Sequence, residues 1–164
     1  MEKRQAWKKV QQAIDKGRPK TAQKRLKPII QRALKEKDYD LATRVIGLKA
    51  SLEARIQGNK PGEKIAVLEN EIAEAPERMR PMMHVLLGNW YWQYYRANEW
   101  RFRKRTRTEK PSGDEITSWD VPRIFSAIDE SFSRALEAES WLRRAPVERY
   151  GDLLEKGAMP DRYR

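Results

Sequence analysis

The sequence predicts an all-α protein of about seven helices, packed as an antiparallel array or bundle with a long aromatic helix at its centre. Apolar residues recur every three or four positions along almost the whole chain, and no alternating run is long enough for a strand. Short segments with Gly or Pro separate the periodic stretches, as is typical of helical bundles and helical-hairpin repeats. We therefore expect one helical domain over residues 1–164.

The boundaries of the N-terminal helices can be predicted from the sequence. The first helix ends at Gly17, which accepts the left-handed conformation, and Pro19 suits the first turn of the second. Pro28 is expected to kink or divide that second helix, and GNKPG at 58–62 is a turn by composition. The predicted helices cover residues 2–16, a stretch from Pro19 through Leu34, residues 40–57, 63–75 and 76–102, a stretch from Asp120 through Leu136, and residues 146–157.

Two predicted helices open on similar segments, KGRPKTA and EKDYDLA, which lie twenty residues apart. This is a faint similarity to tetratricopeptide hairpins, whose usual period is about 34 residues. A general helical array is therefore preferred, and tetratricopeptide-like hairpins stay open as an alternative.

The fifth predicted helix, at 76–102, is expected to be the longest element, since at ~1.5 Å per residue it would measure about 40 Å. A polar loop at 105–117 follows it. Asp120 is expected to cap the sixth helix, with Trp119 packing onto Ile124 as a hydrophobic staple.

Charge is unevenly distributed along this chain of net charge +11. Residues 1–37 contain thirteen basic and three acidic side chains, a net charge of +10, and residues 76–110 have a net charge of +6. Such zones are either solvated helix faces or a patch that attracts phosphate and other polyanions. No apolar run is long enough to span a membrane.

Seven aromatic residues fall between Trp90 and Phe102, and a run of basic residues follows them. At 100° per residue, one apolar stripe forms on the fifth helix, made of Met83, Leu87, Trp90, Tyr91 and Tyr94. Burial of such side chains favours a core over a stacking platform for nucleic acid. Val85, Trp92 and Tyr95 point to the other side, so the fifth helix must be covered by two layers or by a neighbour that this chain does not include. We prefer the second of these.

No catalytic or metal-binding pattern stands out. The chain has no Cys, and its single histidine, His84, is expected to be a hydrogen-bonded packing residue. The carboxylate pairs Glu71 with Glu74 and Asp129 with Glu130 are ordinary features of a charged helix surface. We predict no enzyme activity, no cofactor and no metal.

The chain resembles the N-terminal helical region of large bacterial alpha-2-macroglobulin-like proteins. The resemblance spans essentially the whole chain and is carried by WYWQYY at 90–95, WRF at 100–102, Trp119-Asp120, LLEKG at 153–157, MPD at 159–161 and Tyr163-Arg164.

That resemblance implies that the chain is a fragment of a much larger secreted or periplasmic protease trap, in which it is a non-catalytic scaffold or interaction module. Its partners would be later domains of the same protein, and target proteases through the whole protein. The trap's thioester motif, Cys-Gly-Glu-Gln, is absent from this chain. Inhibitor activity is therefore assigned to no residue of this chain, and if the chain were complete we would expect a cytoplasmic location.

The alternative interpretation is a basic and aromatic helical module that binds nucleic acid. The nucleic-acid module would use the basic N-terminal helices together with the basic end of the fifth helix. The scaffold would dock its partners through the doubly apolar fifth helix and the loop at 105–117. The candidate contact surface combines the basic end of the fifth helix with its second apolar side. Its candidate residues are Arg101, Arg103, Lys104, Arg105, Arg107, Trp92 and Tyr95.

Overall fold

Helices make up most of the described chain, which confirms the predicted all-α class. The structure is a computed structural model that describes residues 2–104 and 115–154. Within these ranges there is no strand, and the α-helices are α1 (Glu2–Asp15), α2 (Pro19–Lys35), α3 (Tyr39–Ile56), α4 (Pro61–Glu74), α5 (Arg80–Ala97), α6 (Glu99–Lys104), α7 (Val121–Leu136) and α8 (Glu139–Leu142). Three 3-10 turns lie at Glu77–Met79, Ile116–Ser118 and Val147–Tyr150.

Each long helix packs against its neighbour in sequence. α1 contacts α2, α2 contacts α3, α3 contacts α4 and α4 contacts α5, after which α7 packs on α5. Turns of three or four residues join the first four helices, so neighbouring helices run antiparallel. The predicted antiparallel array is therefore confirmed.

Two turns at equivalent places in the array share one backbone geometry. After α1, Gly17 has a φ of 64°, and the N–H of Arg18 donates back into α1 at 2.8 Å. After α2, Lys37 has a φ of 58°, and the N–H of Asp38 donates back into α2 at 2.9 Å. This is the Schellman arrangement, which places a left-handed residue just past the helix. The similarity between KGRPKTA and EKDYDLA thus corresponds to a repeated helix-ending turn.

Replacing Lys37 by glycine is expected to stabilise the fold by about 0.5 to 1 kcal/mol, because glycine lacks the Cβ that strains the left-handed conformation. Lys37 is exposed, so little packing is lost with its side chain. Lys24→Gly, at an exposed position in the interior of α2, is the matched control and is expected to destabilise by about the same amount. Urea unfolding followed by circular dichroism measures the stability of both variants. Equal losses in the free energy of unfolding would contradict the left-handed conformation of Lys37.

The predicted aromatic stripe of α5 lies at the centre of the main core. All five of its residues are buried: Met83, Leu87, Trp90, Tyr91 and Tyr94. They cluster with buried side chains of the helices on either side, such as Ile46, Leu68 and Ile124. A second core, which includes Val10 and Leu26, joins α1, α2 and α3.

The prediction of one continuous helix over residues 76–102 is wrong. A 3-10 turn precedes α5, and α5 ends before Asn98, so α5 has 18 residues, the same number as α3. Asn98 leaves the helical conformation (φ −119°, ψ 19°), and its side-chain amide donates to the Tyr94 carbonyl at 2.9 Å. Side-chain bonds of this kind compete with helix continuation. The resulting turn places Phe102 in the core, beside the rings of Tyr94 and Tyr95.

Other predicted boundaries also differ. Pro28 does not divide α2, which is one helix, and it lies on the exposed side, where the carbonyl that loses its bond can bind water. α4 begins at Pro61, inside the predicted GNKPG turn, because the first helical position needs no N–H partner. The described part of the predicted helix at 146–157 is only a 3-10 turn, and α8 was not predicted. Gly157 lies outside the described residues.

The last described segment, residues 147–154, folds back onto the array and is termed the clasp. The buried Tyr150 hydroxyl donates to Asp40 of α3 at 2.9 Å, and Arg149 pairs with the same carboxylate at 3.0 Å. The indole N–H of Trp90 donates to the Leu153 carbonyl at 3.0 Å. Burial, followed by the bond to Asp40, raises the pKa of Tyr150 and keeps its hydroxyl protonated as a donor.

Candidate interaction surfaces

Arg101, the first predicted contact residue of α6, is engaged within the protein. Its guanidinium donates to the Tyr94 hydroxyl and lies 5.5 Å from the ring centre of Tyr94 and 5.6 Å from that of Phe102. A cation held over aromatic faces in this way stabilises local packing. Arg105 and Arg107, two further predicted contact residues, lie outside the described residues.

The rest of α6 presents one exposed aromatic ring with a cation beside it. Arg103 forms an ion pair with Glu99 at 2.5 Å. The Lys104 ammonium lies 5.7 Å from the ring centre of Trp100, which is 63% exposed. Arg101, Arg103 and Lys104 are therefore brought together on one short helix, but Arg101 and Arg103 are already bound to neighbours.

Four exposed apolar side chains lie on α5 and α7, two helices that pack against each other. Their exposed fractions are 38% for Trp92, 42% for Phe125, 36% for Phe132 and 61% for Leu136. The ring centres of Trp92 and Phe125 are 6.2 Å apart, and the ring of Phe132 lies over Gly88. Phe125, Phe132 and Leu136 share one face of α7 because they are seven and four residues apart. These four residues are termed the aromatic ridge.

The second apolar side predicted for α5 is covered in part by α7. Tyr95 is half-buried, and its ring centre lies 4.9 Å from that of Phe125. Val85 is also half-buried, whereas Trp92 is exposed. A neighbour within the chain therefore covers much of the side that we expected to face something absent, and the aromatic ridge is what stays open.

One member of each carboxylate pair noted in the sequence, Glu71 and Glu130, forms an ion pair. Glu71 pairs with Lys49 of α3, and Glu130 pairs with Arg134 one turn along α7 at 2.8 Å. In the ranges that the structure describes, no group of three or more His, Asp or Glu side chains could hold a metal ion.

His84 lies on a polar groove between the start of α5 and the end of α7, lined also by Arg78, Arg134, Glu137 and Trp141. The ring is half-buried, as expected for a packing residue, but its Nδ1 atom bonds to no described residue, contrary to the expected hydrogen bonding. Burial, followed by the nearby Arg134 charge, lowers the pKa of His84 and favours the neutral ring.

A second groove, of about 420 Å³, lies between α1 and α3 over the C-terminal half of α2 and is termed the N-terminal groove. Its apolar lining consists of Ala6, Trp7, Pro28, Ile29, Ala33 and Leu41. The charged residues in its lining are Arg32, Glu36 and Arg44. Arg32 pairs with Glu36 at 2.9 Å, which leaves Arg44 as the net charge of the groove. Trp7, Ile29, Ala33 and Leu41 have the spacing of core residues in the sequence, and none was predicted to line a site.

Comparisons of the chain with known protein families, with curated proteins and with solved structures found no match. Across the described residues, no helix combines the length and apolar character needed to cross a bilayer. The structure therefore identifies the chain by its class, an all-α array of antiparallel helices.

Proposed function

We propose that the chain is a non-catalytic helical scaffold that docks another protein surface through the aromatic ridge. The observation that carries this proposal is the row of four large apolar side chains left exposed beside the main core. Exposed apolar patches on soluble proteins often mark sites of protein–protein interaction. Aromatic side chains are also enriched at the centres of protein interfaces, so the chemistry of the ridge suits a protein partner.

The proposed occupant of the ridge is a later domain of a larger bacterial alpha-2-macroglobulin-like protein. Support comes from the sequence resemblance, whose motifs at 90–102 include the ridge residue Trp92. An apolar ridge next to a core also suits lasting contact better than a brief encounter, since obligate interfaces are the more hydrophobic ones. Protease trapping and a periplasmic or extracellular location would then belong to the whole protein.

The nucleic-acid interpretation has less support. Arg101 is bound to Tyr94 and Arg103 to Glu99 within the protein. Both arginines would have to give up these bonds to contact the bases of a nucleic acid. Trp100, with Lys104 beside it, is the feature of α6 that still suits base stacking.

Reading the gene beyond both ends of the chain tests the proposed context. We expect an open frame that continues into a long region of β-sandwich domains. A stop codon directly after Arg164 would contradict membership of a larger protein.

Photo-crosslinking in the longer protein tests the ridge itself. A benzoylphenylalanine at Leu136 is expected to cross-link to a later domain, because this residue is the most exposed of the ridge. The same group at Ala73, exposed on α4, is the matched control and is expected to give only background. Equal cross-linking from Leu136 and Ala73 would overturn the assignment of the ridge as a docking surface.

A further inference from the structure

We propose that the N-terminal groove binds an acidic segment of another protein and takes up one of that segment's apolar side chains. The groove is built by α1, α2 and α3, whereas the aromatic ridge is built by α5 and α7. The two surfaces are therefore separate, and this proposal does not depend on the function proposed for the ridge.

The shape and lining of the groove suit an apolar side chain. Its volume of about 420 Å³ is at the lower end of the range for ligand pockets. Ile29 and Leu41 form part of its surface and pack against the second core, so this part is held in place by the array. Trp7 is 37% exposed and adds an aromatic wall. Burying an aliphatic or aromatic side chain on such a surface is favourable, as in grooves that bind amphipathic helices.

The net charge of the helices that build the groove favours an acidic partner. Residues 1–37 have a net charge of +10, and all twelve basic side chains from Arg4 to Lys37 are exposed. Clustered charge of one sign attracts partners of the opposite sign and repels basic ones. This basic zone belongs to α1 and α2, two of the three helices that build the groove.

Arg44 supplies a specific contact at the groove wall. It is half-buried and forms no ion pair with any residue in the described ranges, whereas Arg32 is paired with Glu36. A guanidinium in this position can donate two parallel hydrogen bonds to one carboxylate. We therefore expect an acidic residue of the partner to lie next to the inserted apolar side chain.

A protein segment fits the groove better than a nucleic-acid strand does. Single strands bind where several aromatic faces stack successive bases along a basic channel. Trp7 is the single aromatic residue in the groove lining, and its other apolar members are aliphatic. The cavity is therefore better suited to burying one apolar side chain than to stacking successive bases.

Random dodecapeptides displayed on phage are the probe that tests this proposal. Selection on the full chain is expected to enrich peptides with net negative charge and at least one large apolar residue. A synthetic copy of an enriched peptide should bind, and replacing its apolar residue by serine should weaken binding at least tenfold. Enrichment of neutral or basic peptides, or no enrichment, would overturn the proposal.

Two groove variants and one control locate the binding site. Ala6→Glu adds bulk and a negative charge to the groove wall, and Arg44→Glu reverses its cation, so each is expected to weaken peptide binding at least tenfold. Ala73→Glu makes the same alanine-to-glutamate change on exposed α4 and is expected to leave binding unchanged. Circular dichroism confirms that each variant is folded.

Two results would contradict the assigned site. The first is an enriched peptide that binds the Ala6→Glu chain and the unaltered chain equally well. The second is a single-stranded oligonucleotide that displaces the peptide and loses its own binding in the Ala6→Glu chain, which would make the groove a nucleic-acid site.

Discussion

Replacing Trp90 by alanine is expected to lower the free energy of unfolding by about 3 to 5 kcal/mol, the usual cost of truncating a fully buried aromatic residue. The indole is 1% exposed within the main core, and the Lys64 ammonium lies 4.7 Å from its ring centre. Truncation would leave a cavity and would also remove the donor that satisfies the Leu153 carbonyl. Since whole domains are stable by only about 5 to 15 kcal/mol, this loss is large.

The effect should also appear locally, because Trp90 joins α5 to the clasp. Hydrogen exchange at residues 151–154 is expected to speed up in the Trp90→Ala chain more than exchange in α2. Trp100→Ala is the control, since its ring is 63% exposed and its loss should change stability by about 0.5 kcal/mol or less. Urea unfolding compares the two variants, and similar losses would show that Trp90 is not the core residue described.

Replacing Gly88 by leucine is expected to destabilise the fold by about 1 to 3 kcal/mol through overpacking. A Cβ added at Gly88 would lie 2.9 Å from the Cζ atom of Phe132, so any larger side chain must displace that ring or separate α5 from α7. Leucine is a better helix former than glycine by about 1 kcal/mol, so a net loss of stability would come from the contact and not from the helix.

Phe132→Ala provides the test of that explanation. In the Gly88→Leu background it should recover part of the lost stability, because it removes the ring that leucine meets. Thermal unfolding of the two single variants and the double variant forms a cycle that measures this coupling. Simple additivity of the two single changes would show that Gly88 and Phe132 do not meet.

The long helices were predictable because their signal is local. Apolar residues that recur every three or four positions indicate one helix at a time. Residues such as Gly17, after α1, and Pro19, at the start of α2, mark where helices end and begin. The break at Asn98 was missed because the aromatic run continues past it to Phe102. The signal was nevertheless present, since asparagine can bond to the carbonyl one turn earlier and leave the helix.

The aromatic ridge was harder to predict, because periodicity identifies a face but not its neighbour. The apolar residues of α7 run from Ile124 to Leu136 and cover roughly 120° of the helix circumference. α5 covers one half of that arc and buries Ile124 and Ala135, so Phe125 and Leu136 on the other half stay exposed. The N-terminal groove escaped prediction for a related reason, since Trp7, Ile29 and Leu41 have the spacing of core residues.

The clasp also affects how the array can open. Contacts between neighbouring helices close short loops, whereas the bond from Tyr150 to Asp40 spans 110 positions. Loop-closure entropy rises by only about 0.6 kcal/mol per doubling of length, so this closure costs about 1.5 kcal/mol more than that of a twenty-residue hairpin. An array stabilised only by contacts between adjacent helices can unfold from its ends, one helix at a time. The clasp links the first turn of α3 to the end of the described chain, so the helices between them gain a constraint against separate opening.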